Sequence, residues 1–254
     1  MAALISIAPI RGIGEVAVGA DLGALVLDAL RPFAPLKPDD ILIVTQKIVS
    51  KAENSLADLT EIAPSARAEE LAGVVKKDAR LVEMVLRESS DVVRAVPHVL
   101  ITRHRLGFVM ANAGIDQSNI GPGKPERVLL LPRDPDASAA RLRAVIAAAF
   151  GQEIGVVISD SFGRPWRDGV VNVAIGAAGV ASVRDQRGIA DRDGRPLEVT
   201  RVALADAIAA AAGLASGEAA ESVPLVLMRG CDPHAEIASP AQAINRPIEQ
   251  DLFR

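Results

Sequence analysis

The chain has 254 residues, with 28 Lys plus Arg against 32 Asp plus Glu and a formal charge of −4. This mild acidity, with aromatics at 2% and no Tyr, argues against DNA or RNA as the main partner and against a base-stacking platform. A single Cys excludes an internal disulfide and every multi-Cys zinc motif, and no apolar run reaches the roughly 18 to 20 residues of a membrane helix.

The first residues, MAALISIAPIRG, lack the basic start of a secretory signal and read as a strand, so a reducing cytoplasm is the expected location. Pro38-Asp39-Asp40 is a turn opening into Ile41-Leu42-Ile43-Val44, a short apolar run that predicts a buried strand. Leu71 to Arg87 has helical spacing. Val99 to Thr102 and Gly107 to Met110 flank a polar Arg103-His104-Arg105 bend and predict a hairpin, and Val128 to Leu131 predicts another strand. Asp134-Pro135-Asp136 then opens a helix over Ala137 to Phe150, with a capping residue, Pro in the first turn and Gly151 at its end. A buried strand is expected over Ile154 to Ile158, ending at Ser159-Asp160-Ser161. Asp191 to Gly194 reads as a turn joining two strands, Val202 to Ala212 as an amphipathic helix, and Pro224 to Met228 as a late strand. Without a repeat or a low-complexity linker, residues 1–254 read as one domain of α+β class.

Common catalytic signatures fail. Gly12-Ile13-Gly14 lacks the third glycine of a dinucleotide fingerprint, and Gly121-Pro122-Gly123-Lys124 is followed by Pro125 where a phosphate loop needs Ser or Thr. His98, His104 and His234 have no paired metal spacing, no serine sits in G-x-S-x-G, and Cys231 reads as a structural thiol.

Polar segments at strand ends remain. Asp116 and Asn119 offer oxygen ligands from one short loop, and Asp160 and Ser161 are expected at the carboxyl end of a strand, where open α/β sheets place ligands. Magnesium recruits one or two carboxylates plus substrate phosphates, and Asp116 and Asp160 are candidates to supply them. The plainer alternative has Asp116 closing an Asx turn and Asp160 capping the next element, and spacing alone leans that way. Lys47 and Lys51 come after the Ile41 strand, four residues apart, and Arg164 and Arg167 flank the only Trp. Such cations suit a triphosphate, and a solvated basic surface accounts for them equally well.

In order along almost the whole chain, six blocks resemble the CofE family, the coenzyme F420-0:L-glutamate ligases (γ-glutamyl ligases). They are Pro9 to Glu15, Asp40 to Lys51, Arg105 to Phe108, Ala111 to Asn119, Ser159 to Arg167, and the Gly-Ala-rich Ala174 to Gly179. The resemblance implies a mixed-sheet fold of two lobes in an interlocked homodimer. It implies GTP as co-substrate, no covalent enzyme nucleophile, Mg2+ or Mn2+ as two ions, and K+ as a further cation. GTP would activate the acceptor carboxylate as an acyl phosphate for attack by L-glutamate. Carried over residue by residue, Asp116, Asp160 and Ser161 match metal ligands, and Asp116, Asp160 and Lys51 the catalytic charges. Ile13, Gly14, Glu15, Val16, Gln46, Lys51 and Asn119 match GTP contacts, and Arg164 and Arg167 match basic positions assigned to phosphate. Departures stand at Ala207, where the family commonly has Glu, at Glu218 for Gln or Lys, and at Asp168 for Asn. They keep two other readings open: the same chemistry on a folate-like or other acceptor, and a nucleotide-binding paralogue without catalysis.

Overall fold

Short continuous apolar runs make the central strands, and amphipathic segments make the helices. The computed structural model describes residues 4–118, 126–231 and 237–251. In chain order these are β1 (Ser6–Ile10), α1 (Leu22–Leu30), β2 (Ile41–Thr45), α2 (Gln46–Ala52), β3 (Leu56–Asp58), α3 (Ala66–Val75), α4 (Ala79–Arg87), β4 (Ser89–Val96) and β5 (Val99–His104). Next come β6 (Val109–Ala111), β7 (Arg127–Leu129), α5 (Pro135–Phe150), β8 (Gly155–Arg164), β9 (Arg167–Ala178), β10 (Val183–Asp185), β11 (Arg201–Ala203), α6 (Leu204–Ser216) and β12 (Leu225–Arg229). Helices and several sheets are mixed, in keeping with the expected α+β class.

The main sheet has the order β1-β12-β2-β8-β9, parallel only between β2 and β8. Every residue from Ile41 to Val44 is buried because both faces of β2 are covered. On one face Leu42, Val44, Val156 and Ile158 pack with Val26 and Leu30 of α1 and Leu142 and Ile146 of α5. On the other, Ile41, Ile43 and Val157 meet Ile208, Ala209 and Ala212 of α6. A third cluster joins Leu71 and Val75 of α3, Val82 and Val85 of α4, and Leu100 of β5. Among the described residues no helix is long and apolar enough to cross a membrane.

Local chemistry sets the ends. Asp21 accepts from Ala24 N at 3.0 Å to start α1, Asp134 accepts from Ala137 N at 3.0 Å to start α5, and Gly151 closes α5 in the left-handed region at φ 67°.

Three expectations need correction. The single helix over Leu71 to Arg87 is two: Lys76 turns left-handed (φ 54°, ψ 47°), and Asp78 starts α4 by accepting from Arg80 N. The hairpin bend lies two residues later than its polar triplet, since Arg103 and His104 belong to β5 and the turn at Arg105 to Gly107 reverses the chain. The strand expected to end at Ser159-Asp160-Ser161 runs on to Arg164, because β9 pairs with it residue by residue out to Arg167.

Candidate active site

Where β2 stops, β8 is left with one open edge. Thr45 is opposite Ser159, the last pair between them, and the next residue, Gln46, begins α2. Beyond it, β8 is paired only with β9 among the described residues, so the edge from Asp160 to Gly163 faces a cavity of about 1010 Å3. A bulge in β9 falls at the same place, with Ile175 the extra residue between the Ile158–Gly176 and Ser159–Ala174 pairs. Asp160 shares the strand face of Ile158 and Phe162, and Phe162 rests against the core. The cavity is closed around this edge by Ile13 to Val16, the first turns of α2, the Asp116 loop after β6, and the turn from Gly217 to Pro224.

Most of the candidates drawn from the resemblance meet here. Ile13, Gly14, Glu15, Val16, Gln46, Lys51, Asp116, Asp160 and Ser161 all line the cavity. Gly12, just before them, has φ 83°, a backbone conformation that L side chains rarely adopt. Lys51 is 4% exposed and its Nζ lies 2.6 Å from Glu15 Oε1. The buried Gln46 turns its side-chain carbonyl inward, where Ser50 Oγ donates to it at 2.8 Å. Asn119 lies outside the described residues, as do Gly121 to Lys124 and His234.

Arg164 and Arg167 do not line the cavity. They pair across the Pro165-Trp166 turn at the tip of the β8–β9 hairpin, four residues past Asp160, roughly 13 Å along an extended strand. Of the departures, Ala207 is exposed on α6 and Asp168 accepts from Gly169 N at the hairpin tip, so neither touches the cavity. Glu218 does: its Oε1 accepts from Asn172 Nδ2 at 2.5 Å. Asn172 was missed in the sequence, where it is one polar residue inside the apolar run Val170-Val171-Asn172-Val173 of β9.

The two oxygens of Asp116 are engaged differently. Its Oδ1 closes an Asx turn, accepting from Ser118 N at 2.7 Å, while Oδ2 lies 2.7 Å from Lys47 Nζ. Burial opposes its ionisation, but the Lys47 and Ser118 hydrogen bonds and the lysine charge outweigh that and hold the carboxyl below the usual carboxylate range. Asp160 goes the other way. Burial pushes its carboxyl up to about 7; the Ser161 backbone N–H and Lys47 pull against this, and the charges of Asp116 and Glu218 add to it. The capping role fails for Asp160, since it lies within a strand.

Among the described residues, five carboxyl groups (Glu15, Asp116, Asp160, Glu218 and Glu221) thus share the cavity with two lysines. A site of this charge repels a polyphosphate unless cations enter with it. Among the described residues no group of three or more His, Cys, Asp or Glu is arranged to hold a metal by itself. The carboxyl groups of Asp116 and Asp160 nevertheless have the donor chemistry of a hard divalent ion, which takes one or two carboxylates and completes its shell from other oxygens, and the Ser161 hydroxyl, next along β8, is a further oxygen donor on the cavity wall.

The family profile described as F420-0:Gamma-glutamyl ligase matches residues 12–230. The chain belongs to this family. It is therefore an enzyme of the ligase class. A relative from Methanopyrus kandleri, "Coenzyme F420:L-glutamate ligase", is 45% identical over 94% of this chain and 94% of its own length. A relative of the same name from Methanothermobacter thermautotrophicus is 42% identical over 98% of this chain and 99% of its own, and one from Archaeoglobus fulgidus is 39% identical over 98% and 96%. The profile match runs from just after β1 to just past β12, so it takes in every segment that lines this ligase's cavity.

Proposed function

We propose that this ligase forms an amide between L-glutamate and the carboxylate of coenzyme F420-0, with GTP as co-substrate and Mg2+ or Mn2+ as two ions, K+ being a further cation. The observation that carries the reading is the cavity at the end of β2, where Asp116, Asp160 and Lys51 converge in a chain of this family. In the first step an acceptor carboxylate oxygen bonds to the γ-phosphorus of GTP as the bond to GDP breaks, giving an acyl phosphate. The glutamate amine then bonds to the acyl carbon, phosphate departs with the bonding pair, and the nitrogen loses a proton. Asp116, Asp160 and Ser161 would hold a divalent ion, which when bound would neutralise charge on the transferring phosphoryl group. Lys51, held nearly buried beside Glu15, presents an ammonium to the same group. Gly14 leaves open space beside the backbone, since a Cβ there would meet nothing within 4 Å. The two-lobed, interlocked homodimer belongs to this proposal too. Arg164 and Arg167 are left out of the site.

F420-0 is favoured over another acceptor because two of the three departures, Asp168 and Ala207, lie off the cavity. The test is an endpoint assay by mass spectrometry with GTP, Mn2+ or Mg2+, L-glutamate and F420-0. A mass gain of one glutamyl residue is expected. GTP binding without that product would move the reading to another acceptor, and absence of both would overturn it. Replacing Lys51 with Ala is expected to weaken GTP binding about tenfold and to flatten its dependence on salt in a binding titration, because one screened attraction is gone; unchanged affinity would return Lys51 to a structural partner of Glu15.

A further inference from the structure

Of the two lysines that line the cavity among the described residues, Lys47 is the one that no part of the proposed reaction uses. Its Nζ lies 2.7 Å from Asp116 Oδ2 and 3.0 Å from Ser118 Oγ, so the ammonium is seated on a carboxylate oxygen of the candidate metal site. The same charge reaches Asp160 and favours its ionised form. Both side chains of the pair are half-buried, at 30% and 28% exposure, where a charge contact is screened less than on open surface. Asp116 is already fixed from its other oxygen by the Ser118 N–H, so the turn does not need the lysine to hold its shape.

We infer that Lys47 is an internal counter-ion of the site, a positioning residue whose ammonium competes with a divalent cation for Asp116 Oδ2 and thereby sets how tightly that cation binds. This rests on the metal reading of Asp116 and Asp160. An ammonium 2.7 Å from Oδ2 and a divalent ion on the same carboxylate repel one another, so seating the ion weakens or displaces the Lys47 contact. Breaking the Asp116 contact subtracts from the affinity of the ion. With Lys47 in place the cavity stays closer to neutral at rest, and it admits a divalent ion only at a penalty.

Mn2+ alone is the probe, titrated by calorimetry or by the loss of its free EPR signal against the full chain and two variants. Lys47→Met is expected to bind Mn2+ about tenfold more tightly than the unaltered protein, because the competing charge is gone. Lys47→Arg, which keeps the charge, is expected to stay near the unaltered affinity. A purely structural role predicts the opposite pattern: Lys47→Met would melt at lower temperature and bind Mn2+ equally or more weakly, which would overturn the inference and leave the metal reading standing. Absence of Mn2+ binding in all three proteins would overturn both.

Discussion

Asp160→Asn is expected to lower turnover at least about a hundredfold and, in metal-free protein, to raise the melting temperature at pH 8. The two effects share one cause. Asp160 stands on the open edge of β8 among carboxylates, and its carboxyl titrates near 7, above the usual 3.8. A carboxyl whose folded value is raised costs the fold nothing at low pH. As pH rises from about 3.8 towards 7 the unfolded chain is ionised and the folded chain is not, so stability falls through that window and levels off above it. Asn carries no charge at any pH, so the variant and the unaltered protein should melt together near pH 4 and separate by pH 8. A gain of a few degrees is the expected size for a chain of this length. Mn2+ reverses the order: bound only by the folded state, it raises the melting point of the unaltered protein and leaves that of the variant where it was. A variant that melts lower at every pH would mean that the carboxylate is held by favourable contacts. Surviving turnover would remove Asp160 from the chemistry.

The strands that place this site were legible because they are apolar in a way only burial explains. Ile41 to Val44, Ile154 to Ile158 and Pro224 to Met228 lie side by side in the main sheet. What could not be read was the second half of β8. Ser159-Asp160-Ser161-Phe162-Gly163-Arg164 has the composition of a loop, and it is a strand because β9 pairs with it over its whole length. That pairing is tertiary, and it overrides local preference. The consequence is chemical as well as geometric: as part of a strand, Asp160 has a fixed face and a partner strand at its back, and Arg164 is carried away from it. The break at Lys76 was hidden for a related reason. A left-handed residue without glycine gives no composition cue, and the usable signal was Asp78, a capping residue inside an otherwise helical pattern.

The contents of the cavity were legible mainly by resemblance. Spacing alone offered two roles for Asp116; the folded chain shows the Asx turn on one oxygen, while the other meets Lys47 at the cavity. Lys47 and Lys51 looked equivalent, one helical turn apart. They differ in burial and in the carboxylate each one meets, Asp116 for Lys47 and Glu15 for Lys51, and only the folded chain brings residues 69 and 36 positions away to them.

At the other end of β2, Arg229→Met is expected to destabilise the fold by about 3–5 kcal/mol without changing turnover per folded molecule. Asp40, fully buried just before β2, has Oδ1 2.9 Å from Arg229 Nε and Oδ2 3.1 Å from Arg229 Nη2. The same Nη2 donates to the Phe33 carbonyl at 2.6 Å, and Lys37 N donates to Asp40 Oδ2 at 3.0 Å. One guanidinium therefore joins the end of β12 to the turn that launches β2. Met covers part of the same volume but leaves a buried carboxylate without its cation, facing the Lys37 N–H. Removing one member of a buried pair costs more than removing both, because the remaining charge is neither hydrated nor paired. The double variant Asp40→Asn with Arg229→Met should therefore recover much of the loss in chemical denaturation. The cavity lies at the far end of β2, about 16 Å away along an extended strand, so activity of the folded fraction should hold. A single variant as stable as the unaltered protein would mean that water reaches Asp40 and that this pair does not anchor the sheet.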